Sequence, residues 1–164
     1  MNDESGNSYL GMLIISNVFA ILQLLAAARW QRLARLSFVL LFAWASCTNW
    51  ITSQRIPGVY MEYANLAWSD LYRQFINGWF SQHIQLSVGL IATGQALIAI
   101  GLAMKQPFFM PACYGAIVFL LAILPLGVGA GFPCTAIMAI ALLILSTKEA
   151  NHYLWKKKEP VRSQ

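Results

Sequence analysis

The sequence predicts an all-α polytopic membrane bundle: five transmembrane helices plus one amphipathic helix on the outer surface. Three observations carry this. Of 164 residues, 59% are hydrophobic and only 10% charged, whereas soluble domains run near 45–50% and about 25%. The apolar residues fall into five runs of near-membrane length. The basic residues fall on one side of those runs. A soluble core this small could not bury so much apolar surface, which excludes an ordinary soluble enzyme. The same composition excludes a disordered tail and a disulfide-stapled secreted module.

The first run, residues 9–28, is broken only by Ser16, Asn17 and Gln23, and ends at the basic turn of Arg29, Arg32 and Arg35. It approaches the roughly 20 apolar residues needed to cross the hydrocarbon. Its flanking Asp3 and Glu4 are the wrong charge for a cleaved leader, so a retained span is expected, although Ala26-Ala27-Ala28 resembles a cleavage site. The second run, 36–53, closes at Arg55 and Pro57-Gly58. The third, 80–104, is stopped by Lys105 and Pro107; the fourth, 108–126, by the uncharged break at Gly127, Gly129 and Gly131. The fifth, 132–146, precedes a polar, basic tail over 147–164.

Five spans place the 29–35 turn, Lys105 and the tail on one side. Those segments hold nine of the 11 Lys and Arg residues, leaving Arg55 and Arg73 on the other side with Asp3, Glu4, Glu62 and Asp70. The positive-inside rule then sets the N-terminus outside and the C-terminus in the cytoplasm. The Tyr153-Leu-Trp-Lys-Lys-Lys stretch reads as an interfacial anchor attracted to anionic membrane lipids, with no need of a nucleic-acid partner.

Between spans two and three, residues 60–77 follow a helical period better than alternation. Tyr60, Ala64, Ala67, Trp68, Leu71, Tyr72, Phe75, Ile76 and Trp79 share a broad face opposite Glu62, Asn65, Ser69, Arg73 and Asn77. Such a helix is either an interfacial anchor or a lid over a cavity, with Tyr60, Trp68, Tyr72 and Trp79 as the lid aromatics. Asp70 and Arg73 stand i,i+3 and can pair.

Polar residues at bilayer depth are candidates for function. Asn17, Asn49, Gln82, His83 and Gln85 all belong to the outer half, and their convergence would form one outer-leaflet polar pocket. The alternative is that they serve as interhelical hydrogen bonds. Small residues along span three, including Gly89, Ala92, Ala99 and Gly101, predict a central, closely packed helix. Cys47 and Cys134 share a depth that permits pairing; Cys113 lies elsewhere. The three cysteines have no CxxC or Cys/His spacing, which argues against a zinc site, and His83 and His152 lie on opposite sides and cannot share a metal.

From Arg35 onward the chain resembles the DoxX-like family of small bacterial membrane proteins. The resemblance rests on Arg35-Leu-Ser-Phe-Val-Leu-Leu-Phe, on the aromatic outer segment from Ile56-Pro-Gly-Val-Tyr60 to Phe80, and on Gly89, Gly94 and Gly101 in the next span. It covers about residues 35–147 and is one of layout. The chain adds the span 9–28 to the family's usual four, and carries Gln82, Gln85 and Gln95 in a span with no acidic residue. The resemblance implies a helical bundle in the bacterial inner membrane and a loose redox association, since some members are subunits of thiosulfate:quinone oxidoreductases. The leading expectation is an accessory bundle that binds a quinone or lipid-like molecule and serves a partner membrane or redox protein. A small transporter or translocation component is the alternative. An enzyme with His83 as acid–base is disfavoured, because only Asp70 and Glu62 lie near it as acids.

Overall fold

A computed structural model describes residues 3–130, 132–148 and 150–156, and the side chains of these except 3–9, 12 and 128–130. Lys157, Lys158 and Arg162 of the basic tail, and the Asp3 and Glu4 side chains, lie outside the described residues.

The described residues form seven α-helices and no strand. They are α1 (Asp3–Arg29), α2 (Gln31–Arg55), α3 (Tyr63–Leu66), α4 (Asp70–Phe75), α5 (Ile84–Ala103), α6 (Phe109–Ile123) and α7 (Cys134–Ser146). Three stretches are long and apolar enough to cross a membrane: Gln31–Arg55, Ile84–Ala103 and Phe109–Gly127. The apolar helices Leu13–Arg29 and Cys134–Ser146 are shorter. With 13 residues, α7 is about 20 Å long, less than the roughly 30 Å hydrocarbon thickness.

The long helices pack as a ring. Helix α1 lies against α2 and α7, α2 against α5, α5 against α6, and α6 against α7. Small side chains let them close: Ala20, Ala27, Ala34, Ala116 and Ala141 are fully buried. At Gly101 an added Cβ would stand 2.6 Å from Ala112 Cβ, so this residue sets the α5–α6 approach. Outside the ring the surface is oily. Ile15, Leu22, Leu40, Leu90, Leu97, Val118 and Leu143 are all more than half exposed, far beyond what a water-soluble monomer displays.

At one end of the ring the three basic segments meet. Arg35, buried, donates to the carbonyls of Leu102 (3.1 and 3.0 Å), Met104 (2.8 Å) and His152 (3.3 Å). Arg32 donates twice to Leu154 O, and Gln106 N to Ala150 O. The Arg35 guanidinium also stands 4.6 Å from the Phe109 ring centroid. It caps the carbonyl end of α5, where a cation opposes the helix dipole.

The opposite end departs from expectation. The helix expected over 60–77 is broken into a 3₁₀ turn (Pro57–Glu62), α3, an extended link, α4 and a π turn (Ile76–Phe80). Ala67 (ψ 134°) and Ser69 (ψ 127°) are extended. Tertiary contacts account for the break: Trp68 N donates to Pro125 O at 2.9 Å, and its ring packs edge-on against Phe132 at 4.3 Å. Leu71, Trp68, Phe75 and Trp79, all expected on the apolar face, stay about half or more exposed, whereas Tyr60, Ala64, Ala67 and Ile76 are buried. A non-helical Gly78 (φ −96°, ψ −108°) and the cap at His83 (φ −131°, ψ 31°) delay α5 to Ile84, past the expected start at residue 80. Asp70 and Arg73 do pair, at 2.7 Å.

Candidate functional site

Inside the ring, beneath the 57–80 segment, lies a cavity of about 550 Å³, within the roughly 300–1,000 Å³ usual for small-molecule sites. Helix α2 supplies Phe42, Trp44 and Asn49, α5 supplies Val88 and Gln95, and α7 supplies Thr135 and Met138. Helix α6 adds Phe119 and Leu120, and the outer segment roofs the space with Tyr60, Tyr63, Tyr72 and Phe75. The wall is apolar except for a short run of polar groups.

These polar groups are linked. Tyr60 Oη donates to Asn49 Oδ1 at 3.0 Å. Asn49 Nδ2 donates to Gln95 Oε1 at 2.9 Å. Gln95 is almost fully buried, and its amide N–H groups end the chain of donors. Tyr72 Oη donates to Ala122 O at 2.7 Å, tying α4 to the end of α6. Across the cavity, Thr135 Oγ1 is buried with no hydrogen-bond partner among the described residues. A buried hydroxyl left unpaired costs about 1–3 kcal/mol, a penalty that a ligand oxygen accepting its proton would remove.

Two of the three roof tyrosines, Tyr60 and Tyr63, are held in the protonated form. Burial, then the neighbouring Tyr63, push the Tyr60 hydroxyl above its ordinary value; burial, then Glu62, do the same for Tyr63. Both are therefore neutral donors at physiological pH, and their rings stack at 6.3 Å.

Of the residues singled out from sequence, Asn49, Tyr60 and Tyr72 line the cavity. Asn17 does not: its Nδ2 bonds back to Leu13 O within α1, and its buried Oδ1 has no partner among the described residues. Gln82 and Gln85 are exposed. His83 Nδ1 lies 2.9 Å from Trp79 O, and the two rings stack at 4.6 Å on the outer surface. Trp68 packs on the α6–α7 turn instead of the cavity. Val88, Ile91 and Gln95 line the cavity from α5; Gln85 lies in the first turn of that helix and is exposed there.

The polar residues that sequence reasoning left out of the pocket are Gln95, Tyr63 and Thr135. Gln95 had a signal, an amide deep in the apolar span at the helical spacing of Val88. Thr135 had none, since a threonine early in an apolar helix is ordinary. Cys47 is exposed and Cys134 buried, and both are free thiols. No family model, curated protein or solved structure matches the chain.

Proposed function

We propose that this chain is an integral membrane binding module of DoxX-like type, whose cavity holds the head of a quinone or a similar lipid-like molecule. In this reading α1, α2, α5, α6 and α7 all cross the bacterial inner membrane, with the N-terminus outside and the C-terminus cytoplasmic. The protein then acts as an accessory subunit to a membrane redox partner. The ring of helices, its oily exterior and the gathering of Arg32, Arg35 and the 150–156 segment at one end support that arrangement. A head group with two carbonyl oxygens suits the site, because Gln95 and Thr135 offer donors from different helices while the remaining wall is apolar.

The observation that carries the reading is the buried, unpartnered Thr135 hydroxyl on an apolar cavity of ligand size. The test is a titration of purified, detergent-solubilised protein with a decyl-substituted benzoquinone, read by quenching of tryptophan fluorescence; Trp44 lines the cavity. Saturable quenching is expected. Thr135→Val and Gln95→Leu should each weaken it about tenfold, one donor lost being worth about 1–2 kcal/mol. Non-saturable quenching, identical in both variants, would overturn the reading.

A further inference from the structure

A second cavity, of about 660 Å³, opens at the basic end of the ring. Its walls are the α1–α2 turn from Trp30 to Leu33, Arg35, and the returning segment from Ala150 to Lys156. Arg32, Arg35 and Lys156 all line it, and among the described residues no Asp or Glu does. Among the described residues, the hydrogen bonds of the two arginines go to backbone carbonyls, and Arg35 also lies over the Phe109 ring. Carbonyl oxygens orient a guanidinium and satisfy its donors, but they carry no formal charge to neutralise it. Three positive charges thus face one concavity with no compensating carboxylate among the described residues.

The site is also prepared to receive an anion. The opening turn of α2 lies in its wall, where the positive end of the helix dipole favours negative charge. The turn carries no acidic residue. Arg32 uses Nε and Nη2 on Leu154 O, and Nη1 adds two further donors. Around this charge stand apolar surfaces: the Trp30 indole and Leu33 are each more than half exposed, and Tyr153 and Leu154 are half-buried. The cavity also sits where a membrane-length helix, α2, begins.

From this combination we infer that the basic-end cavity binds the phosphate of an anionic membrane lipid, its phosphate on Arg32 and Lys156 at the start of α2 and its acyl chains against Trp30 and Leu33. The site is separate from the internal cavity and does not rest on the quinone reading. Arg35 positions the returning segment, and Arg32 and Lys156 meet the ligand.

Native mass spectrometry of the detergent-solubilised protein tests it, with phosphatidylglycerol, phosphatidylcholine and inorganic phosphate as probes. Phosphatidylglycerol should be retained in preference to phosphatidylcholine. Arg32→Gln and Lys156→Gln should each weaken its binding about fivefold, as expected for one basic residue at an anionic surface, and added salt should do the same. Lys156 is exposed, so its variant keeps the fold if the Arg32 change does not. Equal retention of the two lipids, or Lys156→Gln binding like wild type, overturns the inference. Saturable binding of inorganic phosphate without phosphatidylglycerol retention overturns the lipid as the source of the phosphate.

Discussion

Single residues decide how the outer end is built. Gly127 has φ +69°, and an added Cβ would stand 2.7 Å from Leu66 O and 2.8 Å from Trp68 Nε1. Both the left-handed backbone and the backbone carbonyl in the way forbid a side chain there. Gly127→Ala is therefore expected to destabilise the fold by about 1–3 kcal/mol, seen as a lower thermal midpoint in detergent. An unchanged midpoint would mean that Trp68 is not latched to the α6–α7 turn. Tyr60 and Tyr63 make a second case. Their hydroxyls are raised by burial, so the folded state holds these protons more tightly than the unfolded state does. The stability they supply is complete below the ordinary tyrosine value near pH 10 and is lost as pH rises through the raised folded values. Alkaline absorbance titration should show a late-ionising tyrosine fraction that shrinks in Tyr60→Phe and in Tyr63→Phe.

Among the elements, the two ends of α5 are held by opposite means. At its start, His83 and the π turn form an entry built from local contacts. At its finish, Arg35 of α2 gathers the Leu102 and Met104 carbonyls. Arg35→Met removes these bonds and leaves buried carbonyls without donors, a loss of about 2–3 kcal/mol. Arg35→Lys is expected to recover only part of it, because an ammonium cannot reproduce the planar fork. Denaturation midpoints of the three proteins should rank wild type, Lys, Met; a Met variant equal to wild type would show that α2 and α5 close without the clamp. The outer segment illustrates an element set by its surroundings. Its sequence has helical period throughout, yet the bond from Trp68 N to Pro125 O and the close approach at Gly127 straighten residues 67–69. Tertiary contact there outweighs a local preference worth only tenths of a kcal/mol per residue.

At the scale of the whole molecule, five helices in a ring with the 29–35 turn, Lys105 and the 150–156 segment at one end predict a sided topology. In a background lacking the native cysteines, Ser5→Cys and Asp70→Cys should label from one face of the membrane and Ser163→Cys from the other. Labelling of positions 5 and 163 from the same face would sink the five-span arrangement. Much of the fold was legible in the amino-acid order. Burial of apolar side chains away from water needs only composition and run length to be recognised, so the all-helical architecture and the long apolar helices could be read from sequence. The meeting of the basic turns could be read from the alternation of charge. The amino-acid order also marked Asn49, Tyr60 and Tyr72 as a polar residue and two aromatics of the outer half. It did not separate them from Gln82, His83 and Gln85, which share their depth but face outward or bond locally. Depth along a helix follows from counting residues. Azimuth follows from which neighbours the helix meets, and it is the ring of α2, α5, α6 and α7 that turned Gln95 and Thr135 inward. The cavity, the unpartnered hydroxyl within it and the carbonyl-held arginines at the far end were decided by tertiary structure alone, because each depends on distances between groups remote in the chain.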